Sequence, residues 1–151
     1  MPDDIIFLPM TDDDISQVAE IEKESFSLPW SESSFKEMLV KDDAPYLVGK
    51  IGDKVVAYMG SCIVGDESFI NQVAVSEEYR GQGIGTALLR SYIKLLIAKS
   101  VRAATLEVRV SNMAAIRMYE KCGFKAEGVR KNFYEKPDED ALILWNTELI
   151  L

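Results

Sequence analysis

Apolar residues along this chain follow two rhythms. In some stretches they fall at every second place, in others at steps of three and four, the patterns of strands and of amphipathic helices. "IIFLPM" (Ile5–Met10) predicts a first strand. Thr11 is placed to cap the helix that follows, with Asp12, Asp13 and Asp14 set against its positive end. In that helix Ile15, Val18, Ala19 and Glu22 share one stripe, continued by Phe26. "SLPW" interrupts, and Ser31 starts a second short helix, "SESSFKEMLVK", with Phe35, Met38 and Leu39 as its apolar side. "PYLVGKIGDKVVAYMGSCIV" predicts two strands joined at Gly52-Asp53, a hairpin turn signal. "SFINQVAV" adds a further strand, and the helix beyond it carries Ile84, Leu88, Tyr92 and Leu95 at near-helical spacing. "AATLEVRV" (Ala103–Val110) alternates, with Leu106, Val108 and Val110 facing one way and Thr105, Glu107 and Arg109 the other. Ser111 or Asn112 caps "NMAAIRMYEKCG", which Gly123 closes as a left-handed residue. "FKAEGVRKNFY" and "DALILWNTELIL" supply the last two strands.

The predicted order is β-α-α-β-β-β-α-β-α-β-β, without repeats and without a linker long enough to divide it. This implies one α/β (α+β) domain over residues 1–151 with a mixed sheet. At 151 residues a single core forms without staples. No apolar run approaches the roughly 20 residues needed to cross a bilayer, and "MPDDIIFL" lacks a basic leader region. The expectation is a cytoplasmic, unprocessed protein with no membrane partner.

Histidine is absent. That excludes Ser-His and Cys-His nucleophile pairs and His-ligated zinc, so any catalytic base must be a carboxylate, a lysine, a tyrosine or a terminus. Acidic residues number 25 against 17 basic ones, the opposite of the basic footprint that nucleic acid requires. Cys62 and Cys122 lack Cys-x-x-Cys spacing and read as reduced, mostly buried thiols.

The sharpest feature is "VAVSEEYRGQGIGTALL" (Val73–Leu89), a strand, a loop with three glycines at every second position, and an apolar helix. A phosphate loop of the Walker type needs Lys-Ser/Thr after its last glycine, and Thr86-Ala87 stands there instead. A dinucleotide fingerprint needs Gly or Ala where Thr86 is, and needs it in the first βα unit rather than after the fourth strand. Two readings remain: a tight strand-to-helix turn without a ligand, or an anion cradle built from the free N–H groups of a first helical turn, with the Arg80 charge beside it.

Arg-x-x-Gly-x-Gly at Arg80–Gly85, after a strand and before a helix, resembles the acetyl-coenzyme A motif of the GNAT superfamily of N-acetyltransferases. The topology agrees over nearly the whole chain and implies that fold, a mixed, mostly antiparallel sheet flanked by helices. "FSLPWSESSF" (Phe26–Phe35), "LEVRVSNMAAIRMYEKCGF" (Leu106–Phe124) and "RKNFYEKPDEDALIL" (Arg130–Leu144) resemble the RimI type, which acetylates the N-terminal alanine of a small-subunit ribosomal protein. Archaeal relatives of the Ard1 type share the second and third stretches. The resemblance implies acetyl-coenzyme A as cosubstrate, no metal, and a protein N-terminus beginning with Ala or Ser as acceptor, by direct transfer in a ternary complex. It also implies that the backbone of Val73, Ala74 and Val75 lies along the pantetheine arm. Gly81, Gln82, Gly83, Ile84, Gly85 and Thr86 would hold the pyrophosphate through their N–H groups, and Asn112 would bond the pantetheine. Glu107 would be general base and Tyr119 general acid, while Phe26, Trp30 and Tyr134 would line the acceptor groove. Two departures leave the acceptor open: Phe133-Tyr134 stands where RimI proteins usually carry Tyr-Tyr, and Pro137-Asp138-Glu139-Asp140-Ala141 where relatives have Asp-Gly-Glu-Asp-Ala.

The chemistry admits these roles. A peptide α-amine, with a pKa near about 7.7–8.0, needs only a modest base. A phenol with a pKa of about 10 can protonate a departing thiolate. By residue pattern alone Glu107 could equally belong to a solvated stripe, Tyr119 to the core, and Phe26 and Trp30 to helix packing. Cys122 as an acyl-accepting nucleophile lacks a base. Acetyltransferases for other N-termini, lysines or small amines, and a non-catalytic coenzyme A-binding module, stand as alternatives. No pattern in the chain fixes an oligomeric state.

Overall fold

The protein is described as a computed structural model covering residues 1–150. Seven strands, β1 (Ile5–Pro9), β2 (Tyr46–Ile51), β3 (Lys54–Val64), β4 (Glu67–Val75), β5 (Ala103–Arg109), β6 (Lys125–Tyr134) and β7 (Glu139–Asn146), form one sheet in the order β1-β2-β3-β4-β5-β7-β6. Four helices accompany it: α1 (Ile15–Ser25), α2 (Glu32–Leu39), α3 (Ile84–Ala98) and α4 (Met113–Lys121). Consecutive strands joined by tight turns pair antiparallel. The β4–β5 pair, joined through α3, is parallel, as a helical crossover requires. The predicted order of elements and the mixed, mostly antiparallel sheet are both present.

The sheet carries a core on each face. On one face α1 and α2 bury Ile15, Val18, Ile21 and Phe35 against Val48, Val55 and Tyr58. On the other, Ile84, Leu88, Leu89, Tyr92 and Leu96 of α3 and Ile116 and Tyr119 of α4 pack on Val56, Met59, Ala104, Leu106 and Val108. Burying a side chain of the Leu or Ile class contributes roughly 1.5–3 kcal/mol, so these two layers supply most of the drive to fold.

Several details differ from the sequence reading. Asp12–Asp14 forms a 3-10 turn ahead of α1, with Thr11 at its N-cap as expected, and Asp14 closes the box from the other side, its carboxylate accepting the Thr11 N–H at 2.8 Å and its hydroxyl at 3.1 Å. Phe26 leaves the α1 stripe and is 40% exposed, because the chain turns extended at that residue. In α3 the buried stripe passes through Leu89, Ile93 and Leu96, leaving Leu95 only half-buried. β5 ends at Arg109, so Val110 does not join Leu106 and Val108 inside. β7 ends at Asn146, short of the predicted "NTELIL", whose Leu151 lies outside the described residues. Both cysteines are half-buried.

Candidate functional site

The site begins with a defect in the sheet. β4 and β5 pair only from Glu67↔Ala103 to Phe69↔Thr105, and beyond Phe69 the two strands have no register with each other. On its other edge β4 stays paired with β3 through Val75, but with Asn71 inserted as an extra residue between the Gly60↔Gln72 and Ser61↔Ile70 pairs. Such a bulge bends its strand and sharpens its twist, here turning the end of β4 away from β5. Val73, Ala74 and Val75 thus present their β5-side backbone to a gap rather than to a strand, which suits addition of an extended ligand arm.

The glycine loop lies at the end of that gap. Gly81 and Gly83 have φ of +76° and +82°, a region that costs other residues roughly 1–2 kcal/mol. A Cβ on either would meet nothing within 4 Å, so the loop is open on that side. Gly83 is the N-cap of the 15-residue α3, and no side chain caps that end, so its first N–H groups, those of Ile84, Gly85 and Thr86, are free to meet an anion. Gly85 has a different reason to be glycine: a Cβ there would stand 3.0 Å from Met118 Sδ, so the third glycine lets α3 approach α4. Gln82 is exposed and Ile84 is core. Arg80 is largely committed within the protein, its Nε donating to the Val75 carbonyl at 2.9 Å and its Nη2 to the Ser25 hydroxyl at 3.1 Å. The Arg80 head thereby braces the end of β4 against the end of α1.

Glu107 and Tyr119 lie on opposite faces of the sheet at β5, the strand that borders the gap. Tyr119 lies in the α3/α4 core with Leu106 and Val108, and half-buried Val73 and Val75 pack on the same cluster. It is 1% exposed, its ring meets Phe124 edge-on at 5.3 Å, and its hydroxyl is buried without a hydrogen-bond partner. Burial, ahead of the charges of Tyr134 and Cys122, pushes its pKa well above the ordinary phenol value, so it stays protonated. Glu107, on the alternate face of β5, is half-buried and receives Arg130 Nε at 3.0 Å. Tyr134 is half-buried beside it. Burial and then the Glu107 carboxylate raise the Tyr134 pKa to about 12. Asn112 caps α4 by accepting the Ala115 N–H at 3.2 Å, which leaves its amide N–H groups free for another acceptor.

Two loops flank the Glu107 face, and their anchors were not legible in the sequence. Phe26 is exposed, and half-buried Trp30 leans on Phe35 at 5.5 Å. Behind Trp30 the carboxylate of Glu22, 1% exposed, accepts its N–H at 2.9 Å. Opposite, Arg109 Nη1 donates to the Pro137 carbonyl at 2.8 Å and Nη2 to the Glu135 carbonyl at 3.1 Å, while its guanidinium lies 4.5 Å from the Tyr134 ring centre. Arg109 also pairs with Glu139, whose other oxygen accepts the Ser111 N–H at 2.7 Å. The alternation of β5 predicts only that Arg109 faces the same way as Glu107. Ser27 Oγ and the Glu135 carbonyl, 3.5 Å apart, bring the two loops together.

Cys122 lies away from this gap. It lines a cavity of about 680 Å3 with Arg90, Lys94 and Trp145 that includes neither Glu107 nor the glycine loop. Burial raises the thiol pKa, outweighing the lowering by Arg90 and Lys121, so it is a poor nucleophile. Among the described residues, no cluster of His, Cys, Asp or Glu is set to hold a metal, and no helix is long and apolar enough to cross a membrane. An unpaired strand edge ending at an uncapped helix, with an orphaned phenol hydroxyl on one face, fits an extended thioester that carries a pyrophosphate. A buried hydroxyl without a partner costs about 1–3 kcal/mol, and a bound sulfur or carbonyl group would relieve that cost.

Comparison with known proteins agrees with this geometry. The family model described as acetyltransferase (GNAT) family matches residues 15–124. A Bacillus subtilis protein with the provisional name [ribosomal protein bS18]-alanine N-acetyltransferase is 44% identical over 136 residues, covering 89% of this chain and 90% of its own. The [ribosomal protein bS18]-alanine N-acetyltransferase of Escherichia coli (strain K12) is 35% identical over 133 residues, 87% of this chain and 89% of that protein. The crystal structure of the ribosomal-protein-S18-alanine N-acetyltransferase from Escherichia coli superposes with a TM-score of 0.89 at 30% identity, covering 97% of this chain and 96% of that one. With its strand gap, glycine loop and sheet topology in place, the chain belongs to the GNAT family and is an acetyl-coenzyme A-dependent N-acetyltransferase.

Proposed function

We propose that this enzyme acetylates the N-terminal α-amine of a ribosomal protein in the cytoplasm, the first residue being Ala or Ser, by direct transfer in a ternary complex. The likeness to bS18-alanine N-acetyltransferases over nine-tenths of their length supports the acceptor. The observation that carries the chemistry is the buried, partnerless hydroxyl of Tyr119 on one side of the β4–β5 gap, with Glu107 on the other.

When bound, acetyl-coenzyme A supplies an acyl thioester open to attack by an amine. The N–H groups from Gly81 to Thr86 hold its pyrophosphate, the free edge of Val73–Val75 aligns its pantetheine arm as an added strand, and the Asn112 amide steadies that arm. Phe26, Trp30 and Tyr134 line the groove for the first residues of the acceptor. Glu107 takes a proton from the acceptor ammonium, directly or through a water, leaving the nitrogen lone pair free to form the new N–C bond. Tyr119 Oη gives a proton to the sulfur as the C–S bond breaks, and burial keeps that proton in place at neutral pH. Solvent then resets both groups, and no metal enters. With a pKa of about 7.7–8.0, the acceptor amine makes kcat/KM rise with pH through that range.

The test is coenzyme A release with peptides beginning in Ala, Ser, Met or acetylated Ala, the last with an internal lysine. Turnover on free Ala and Ser peptides, absent with the blocked peptide and lost in Glu107→Gln and Tyr119→Phe, is the expected result. Turnover only on the internal lysine or on small amines would reassign the acceptor. Tight coenzyme A binding with no turnover on any amine would make the chain a binding module.

A further inference from the structure

We infer that Glu22 is a positioning residue for the acceptor, its buried carboxylate pinning the Pro29–Trp30 segment of the groove to the strand that edges the cofactor gap. This rests on the reading of Phe26 and Trp30 as acceptor rim.

A carboxylate is almost never fully buried unless paired, and among the described residues Glu22 has no cationic partner within ion-pair distance. Its oxygens instead collect three donors from three parts of the fold. Oε1 accepts the Tyr58 hydroxyl from β3. Oε2 accepts the Trp30 N–H at 2.9 Å and Gln72 Nε2 at 2.7 Å. Its surroundings are apolar: Val18, Ala19, Phe35 and the Tyr58 ring belong to the same layer. A hydrophobic residue of similar volume would fill that place with less desolvation cost. What it could not do is accept a main-chain N–H.

That N–H matters because the segment has so little else. Among the described residues, Trp30 carries the one main-chain N–H from Ser27 to Ser31 with a protein acceptor. Phe26 and Leu28 are 40% and 56% exposed, so side-chain burial does not fix the segment either. Gln72 follows the Asn71 bulge and precedes Val73. One carboxylate therefore ties the acceptor rim and the cofactor edge to a common point, and their separation sets whether amine and acyl carbon meet.

The test uses the full chain and compares Glu22→Met, which removes every acceptor, with Glu22→Gln, which leaves one carbonyl oxygen for three donors. Amide hydrogen exchange at Trp30 is read by NMR, and KM is measured for an Ala-initiated peptide and for acetyl-coenzyme A. In Glu22→Met the Trp30 amide is expected to exchange about tenfold faster, and peptide KM to rise about tenfold with acetyl-coenzyme A KM unchanged. Glu22→Gln is expected to fall between, with peptide KM up about threefold. Unchanged Trp30 exchange, or a parallel change in both KM values, would overturn the inference, and Glu22→Gln decides by the same criteria if Glu22→Met does not fold. Should wild type acetylate no peptide, the functional reading fails, while Trp30 exchange still reports on the Glu22 contact.

Discussion

The two ends of the active site are built by different means. The proposed cofactor end is local and made of backbone: Gly81, Gly83 and the first turn of α3 lie within a few residues of one another, and their N–H groups are left free of side-chain caps. The proposed acceptor end is assembled from distant side chains. Glu22 reaches Gln72 across 50 positions, and Arg109 reaches Glu135 and Pro137 across 26 and 28. A common cofactor can be held by a short motif that tolerates change elsewhere. An acceptor groove held by two buried or half-buried anchors can be retuned by altering the loops alone. The departures at Phe133 and Pro137 fall in the Arg109-held hairpin, as that division leads one to expect.

The largest effect should come where the two ends meet. Tyr119→Phe is expected to lower kcat by about 10²–10⁴-fold. Thermal unfolding of the ligand-free variant should occur at the same or higher temperature, because an unsatisfied buried hydroxyl has been removed. A drop in stability with intact kcat would make Tyr119 a core residue only. Next, Gly83→Ala forces a side chain into φ +82°, a strain of roughly 1–2 kcal/mol. Acetyl-coenzyme A KM should rise about tenfold with peptide KM unchanged; equal changes in both would dissolve the division between the ends.

Arg109→Met is the mirror experiment. Losing two carbonyl contacts and the Glu139 pair should loosen the β6–β7 hairpin and raise peptide KM about fivefold, leaving acetyl-coenzyme A KM alone. Equilibrium titration of both ligands against the variant checks this. The smallest effect lies at the start of α1, on the acceptor layer. Burial pushes the Asp14 carboxyl up, but the bonds from Thr11 and Lys50 outweigh it and hold it below its ordinary 3.8. A depressed pKa contributes stability above the unfolded value and loses it as pH falls through the folded one. Acid unfolding below about pH 4 should therefore be less steep in Lys50→Met, whose ammonium normally sits 3.1 Å from Asp14.

Much of this was legible in the chain itself. Strands and helices followed their periods, Gly52-Asp53 made its hairpin, and Ser31 and Asn112 capped as expected. The glycine loop led from β4 into α3 as its motif implies, and Glu107 and Tyr119 fell on β5 and α4. Where the reading slipped, the cause was contact from elsewhere. Gly85 reads in the sequence as part of the anion loop, and the structure adds a packing role that only Met118 reveals. The Arg80 charge was expected beside the loop, and what the sequence did not show is that Val75 and Ser25 hold it there. Glu22 lay on the predicted buried stripe, but no neighbour in sequence explained why an acid should be there.

The order of elements, the two faces of each and the glycine-lined entry to α3 follow from the chain alone, because they depend on periodicity and on conformations that a few adjacent residues set. Tertiary structure alone decided the separation of β4 from β5, the orphaned Tyr119 hydroxyl, and the anchors of both acceptor loops. Those depend on which distant groups meet, and hydrogen bonds between residues tens of positions apart leave no local trace in the chain that makes them.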